Sequence, residues 1–118
     1  MLTRANRLTS SRMFAPAIRR GRRTGTRTLV LHLDLSPEET NEHGSAPRVG
    51  FVVSKAVGPA VARNKVKRRL RHLARERLAS LPGSAVLVVR ALPPAATASY
   101  AELGGDLDKA LGRLLVRP

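Results

Sequence analysis

The segment between Gly58-Pro59 and Pro82-Gly83 sets the tightest limit on how this chain can fold. Proline is suited to the first helical position, where its missing N–H has no intrahelical partner to lose, and Pro-Gly at the far end stops a helix. Between them Ala62, Val66, Leu70, Leu73, Ala74 and Leu81 recur at three- and four-residue steps, the period of an amphipathic helix. Asn64, Arg68, Arg71 and Arg75 run down the opposite side, flanked by Lys65, Lys67 and Arg69, with Glu76 as the single acid. The helix must therefore lie on a core with one face and show a cationic surface with the other.

The flanking segments supply that core. Residues 27–35 place Leu29, Leu31 and Leu33 on one side and Val30 and His32 on the other, a strand half covered on its second face. Residues 48–55 (R-V-G-F-V-V-S-K) and 84–91 (S-A-V-L-V-V-R-A) form two further strands, the last ended by Pro93-Pro94. Thr9, Ser10 and Ser11 offer N-cap oxygens to a short helix with Met13, Phe14 and Ile18 that stops before Gly21, and Pro16 shortens or bends it. Ser99 and Glu102 have capping-box spacing and start a last helix with Leu103, Leu107, Ala110, Leu111 and Leu114 on its apolar face. In that helix Asp106 and Asp108 come early and Arg113 and Arg117 late, as the helix dipole favours. Residues 36–47 are turn chemistry without apolar periodicity and form a flexible acidic loop. The order helix, strand, strand, helix, strand, helix gives an α+β fold, one small sheet with helices packed on it.

Aromatics are 3% of the chain against 42% hydrophobic residues, so the core is aliphatic, and 118 residues form one domain, 1–118. With no cysteine there is no disulfide, thiolate metal site or thiol nucleophile. The apolar run at residues 85–89 is far short of the roughly 20 residues that span a bilayer, and the cytoplasm is the expected compartment.

Charge then narrows the function. There are 22 Lys and Arg against 8 Asp and Glu, for a net charge of +14. Bases spread for solubility would alternate with acids, yet Arg4, Arg7, Arg12, Arg19, Arg20, Arg22, Arg23 and Arg27 precede the first acid, Asp34. Such segregation favours a polyanionic partner, nucleic acid ahead of anionic lipid. The same Arg-rich N-terminus is similar to an organellar transit peptide, but Phe14 and Ile18 at helical spacing favour a turn of the folded domain. Chemistry on the polypeptide itself finds no support: His32, His43 and His72 lack metal-ligand spacing, and Asp106 and Asp108 at i, i+2 on a helix do not face each other. No catalytic residue and no protein-bound metal is expected. Phe51, amid valines, belongs to the core, which leaves Phe14 as the aromatic suited to stack on an unpaired base.

Residues 57–71, V-x-x-A-x-x-R-N-K-V-K-R-x-L-R, resemble the motif helix of the bacterial ribonuclease P protein family, preceded by Arg48-Val49-Gly50-Phe51 and Ser54-Lys55. The likeness continues at Arg7, Leu8, Phe14, Ile18 and Gly21, and at Tyr100-x-Glu102. The resemblance implies an α-β sandwich whose motif helix joins two parallel strands by a left-handed crossover, against the usual hand. It implies a subunit of an RNA enzyme: the RNA removes the 5′ leader of precursor tRNA with Mg²⁺, and the protein lowers the Mg²⁺ requirement without catalysing. By position, Arg63, Asn64, Lys65, Lys67, Arg68 and Arg71 would contact the catalytic RNA, and Phe14, Ile18, His32 and Lys55 would border a cleft for the leader. No obligate protein partner is implied. Ile18 stands where relatives commonly have an aromatic, His32 where they often have Tyr, and Ala56 where a second Lys is frequent. A ribosomal-RNA-binding structural protein would share the charge but leaves the 57–71 pattern unexplained. A metal-dependent nuclease would need a carboxylate cage that the spacing does not supply.

Overall fold

The structure, a computed structural model, describes residues 21–35, 47–83 and 85–115. The helix expected before Gly21 and most of the 36–47 loop lie outside them. Four strands, β1 (Arg22–Gly25), β2 (Leu29–Asp34), β3 (Arg48–Val52) and β4 (Val86–Ala91), form one sheet in the order β1-β2-β4-β3. β1 and β4 both run antiparallel to β2, and β3 runs parallel to β4. A parallel pair cannot be closed by a tight turn. Helix α1 (Ala60–Arg77) supplies the crossover, and helix α2 (Tyr100–Leu115) follows β4.

Both helices press on the same face of the sheet. Leu29, Leu31 and Leu33 of β2, Leu87, Val89 and Ala91 of β4, and Val49 of β3 meet Val66, Leu70, Leu73 and Ala74 of α1 and Leu103, Leu107, Ala110, Leu111 and Leu114 of α2 in one cluster. The two apolar stripes are those the sequence periodicity lays out, except that Ala62 is only half-buried. At the helix crossing Gly104 is buried, and a Cβ there would lie 3.1 Å from Leu73 Cδ2. The missing side chain is what lets α2 come this close to α1.

Several local expectations are corrected. The sheet has four strands, not three: β1 is an edge strand whose Arg22, Arg23 and Gly25 are exposed, so no apolar alternation marks it. It is held by the turn in which Thr26 N–H donates to the Leu29 carbonyl and Leu29 N–H to Thr26 Oγ1, and by Arg22 and Arg113, which donate to the Leu114 and Gly25 carbonyls. β2 is covered on both faces, with Val30, His32 and Asp34 buried beside Leu29, Leu31 and Leu33. β3 ends at Val52, and a 3₁₀ turn, Lys55–Val57, leads to the helix. Pro59 is the N-cap of α1, not its first helical residue, and α1 stops at Arg77 before a 3₁₀ turn, Leu78–Ser80. Leu81 is buried just beyond that turn.

The capping box forms as the spacing requires, with Ser99 N–H donating to Glu102 Oε1 and Glu102 N–H to Ser99 Oγ, each at 3.0 Å. Glu102 also pairs with Arg27 at 2.9 Å. Asp106 and Asp108 serve specific ties more than the dipole. Asp106 accepts from the Thr28 hydroxyl and N–H, and Asp108 accepts two bonds from Arg77. These acids fix α2 to the β1–β2 turn and to α1, and their hydrogen bonds hold all three carboxyls below the usual carboxylate range.

Candidate nucleic-acid interface

The outward side of α1 follows from its period. Once Val66, Leu70 and Leu73 face the sheet, residues at 64, 68, 71 and 75 must face away. Asn64, Arg68 and Arg75 are exposed, Lys67 and Arg71 half-buried. Asn64, Lys67, Arg68 and Arg71 line a depression of about 400 Å³ together with His72. His72 completes the wall because it stands one turn beyond Arg68, a relation that i, i+4 spacing contains and that reading His72 as one more polar residue of the helix leaves unused. Lys65 is exposed outside the depression and Arg63 lies half-buried at the head of the row, its Nε donating to the Gly58 carbonyl at 3.2 Å. Arg69, expected to flank the row, instead donates to the Ala98 carbonyl at 3.1 Å.

The described carboxylates are committed elsewhere. Glu102 and Asp108 hold Arg27 and Arg77, and Glu76 reaches Arg77 at 3.8 Å and accepts from the Tyr100 hydroxyl at 3.4 Å. Among the described residues no carboxylate pairs with Arg63, Lys65, Lys67, Arg68, Arg71 or Arg75. Six cations along one helix, with no described acid to neutralise them, make a concentrated positive field. Their spread over successive turns suits a run of backbone phosphates.

A second basic surface lies on the sheet face turned away from the helices. There Arg23 of β1 stands beside His32 of β2, and Arg90 of β4 beside Val30 of β2 and Val52 of β3. Arg23 and Arg90 are exposed, whereas His32 is 6% exposed and its buried Nδ1 has no hydrogen-bond partner among the described residues. Burial first, then the charges of Arg23 and Arg90, push the His32 pKa down, so the ring is neutral at pH 7. Arg23 and Arg90 escape sequence reasoning as neighbours of His32, because they flank β2 from either side only once β1, which carries no apolar signal, and β4 are in register with it. Lys55 is exposed in the turn after β3, while Phe14 and Ile18 lie outside the described residues. Phe51 is half-buried against the core. No three His, Asp or Glu side chains gather in a group that could hold a metal ion among the described residues, and no described helix is long and apolar enough to cross a membrane.

The family model for ribonuclease P matches residues 2–115. The ribonuclease P protein component of a Nocardioides species is 61% identical over 114 residues, covering 97% of this chain and 95% of that protein. That of Streptomyces griseus is 58% identical over 118 residues, covering 98% and 96%. The fold is similar to that of Staphylococcus aureus RNase P protein, with a TM-score of 0.78 at 24% identity over 93% of this chain and 95% of that one. With a family model spanning nearly the whole sequence and relatives of this identity and coverage, the chain belongs to the ribonuclease P protein component family.

Proposed function

We propose that the chain acts as the non-catalytic subunit of ribonuclease P in the cytoplasm, gripping the catalytic RNA with the outward side of α1 and the 5′ leader of precursor tRNA with the far sheet face. The observation that carries this reading is the row of cations on α1 that no described carboxylate neutralises. Arg63, Asn64, Lys65, Lys67, Arg68 and Arg71 take the phosphates of the RNA, the arginines through forked donors that match a phosphate. His32 and Lys55, with Phe14 and Ile18, border the leader, and the unpartnered Nδ1 of His32 is a polar group with bonding capacity left for a ligand. Mg²⁺ is assigned to the RNA, which carries the chemistry in this reading. The protein's part is to neutralise phosphates that more Mg²⁺ would otherwise have to screen, and to hold the substrate by its leader.

The test is cleavage of a precursor tRNA by a bacterial ribonuclease P RNA at low Mg²⁺, with and without the protein, beside a protein-only lane. Cleavage only in the combined reaction is expected. Failure to rescue an RNA that is competent at high Mg²⁺ would overturn the reading, as would cleavage by the protein alone.

A further inference from the structure

Among the cations of the outward row, Arg63, Lys65, Lys67, Arg68, Arg71 and Arg75, Arg63 is the one whose side chain is anchored to a described residue. Its Nε donates to the Gly58 carbonyl at 3.2 Å while its backbone N–H donates to the Pro59 carbonyl at 3.0 Å. Neither terminal nitrogen of its guanidinium has a partner among the described residues. One edge of the plane is thus fixed to the main chain and the forked end is left open. The Gly58 carbonyl points where it does because of an unusual backbone: Gly58 has φ 150° and ψ −170°, its N–H donates to the Lys55 carbonyl at 3.1 Å, and a Cβ at this position would lie 3.2 Å from Ala62 Cβ. A side chain is disfavoured there both by φ and by contact with the first turn of α1. Any other residue would have to rotate the peptide and carry the acceptor away from Nε.

We infer that Gly58 is a positioning residue for RNA binding, its carbonyl holding the Arg63 guanidinium so that the terminal Nη atoms meet one phosphate of the catalytic RNA end-on. The inference rests on the RNA-binding role proposed for Arg63. A pre-oriented fork loses less side-chain freedom on binding than a free one. Lysine could supply the charge but has neither the Nε–H that makes the anchor nor the fork that makes two bonds.

The experiment measures affinity of the full chain for ribonuclease P RNA across a salt series, with melting curves as a check on folding. Arg63→Ala is expected to weaken binding about tenfold or more, the scale of a charge-assisted pair. Arg63→Lys should fall near Arg63→Ala and not near the parent. Gly58→Ala should lose a similar factor, and Gly58→Ala combined with Arg63→Ala should be no weaker than the worse single variant, whereas Gly58→Ala combined with Arg68→Ala should multiply. Unchanged binding by Arg63→Ala would sink the RNA-binding role of Arg63 and the inference with it. A loss in Arg63→Ala with parental binding by Arg63→Lys would leave that role standing and overturn the positioning alone, as would multiplication of the Gly58 and Arg63 effects. If Gly58→Ala does not fold, the lysine variant decides.

Discussion

His32 shows how much one side chain can carry. Its ring is buried between Arg23 and Arg90, and the folded protein holds its proton more weakly than the unfolded chain does. As pH falls below about 6.5 the unfolded state takes up the proton first, so folding stability drops in that window and is unaffected above it. Thermal melts from about pH 7.5 down to about pH 5 are expected to slope downward, and the slope should flatten in His32→Phe; equal slopes would show that the ring is not the titrating group. On the helix face proposed to bind the RNA the matching prediction concerns Arg68, exposed and unpaired with any described carboxylate. Arg68→Ala should weaken binding to the RNA and reduce the slope of log K against log salt by about 1, one phosphate contact fewer.

At the scale of elements, α2 tests how helix propensity trades against packing. A Cβ added at Gly105 or Gly112 would meet nothing within 4 Å, whereas at Gly104 the same atom would press on Leu73. Gly105→Ala and Gly112→Ala should each stabilise the fold by about 0.5–1 kcal/mol, raising the melting temperature by several degrees. Gly104→Ala should gain less than either, because the buried Leu73 has to give way. On α1, Leu70 is fully buried, and Leu70→Ala should lose about 2–5 kcal/mol by chemical denaturation. The elements themselves are legible in the sequence wherever one face is buried and the other is not: the periods of α1 and α2, the capping box at Ser99 and the strands around Leu31, Val49 and Val88 all announce themselves. β1 does not, because Arg22 and Arg23 bury little and the strand exists only through its partner β2. Of the candidate site, the α1 row follows from spacing alone. The joining of Arg23, His32 and Arg90 does not, since Arg23 sits on a strand with no apolar signal and Arg90 comes beside β2 only through the register of β4, distant in sequence.

For the molecule as a whole, charge is sorted more than it is balanced. The acids of α2 serve as internal ties, and with the described carboxylates engaged, the row of cations at 63, 65, 67, 68, 71 and 75 of α1 is unopposed by any of them. Glu102, Asp106 and Asp108 titrate lower in the folded state than in the unfolded chain. Their contribution is therefore complete above about pH 5, where the unfolded carboxyls are ionised too, and is lost as pH falls through the lowered native values. An acid titration followed by circular dichroism should show unfolding that begins near there, and Asp108→Asn should make the loss shallower; an unchanged acid limb in that variant would remove the Arg77 tie from the account.

The strand order carries a consequence for how the protein is made. β4, the last strand synthesised, is the one that sits between β2 and β3. The β1–β2 hairpin can close as soon as it leaves the ribosome, but β3 has no neighbour in the sheet until residue 86 and its successors arrive. A nascent chain that has already displayed the whole of α1 still lacks the strand that seats it. Its basic helix meets the RNA-rich surroundings of translation before it has a sheet to lie on, so the aliphatic stripe of α1 stays open to solvent until the central strand is released.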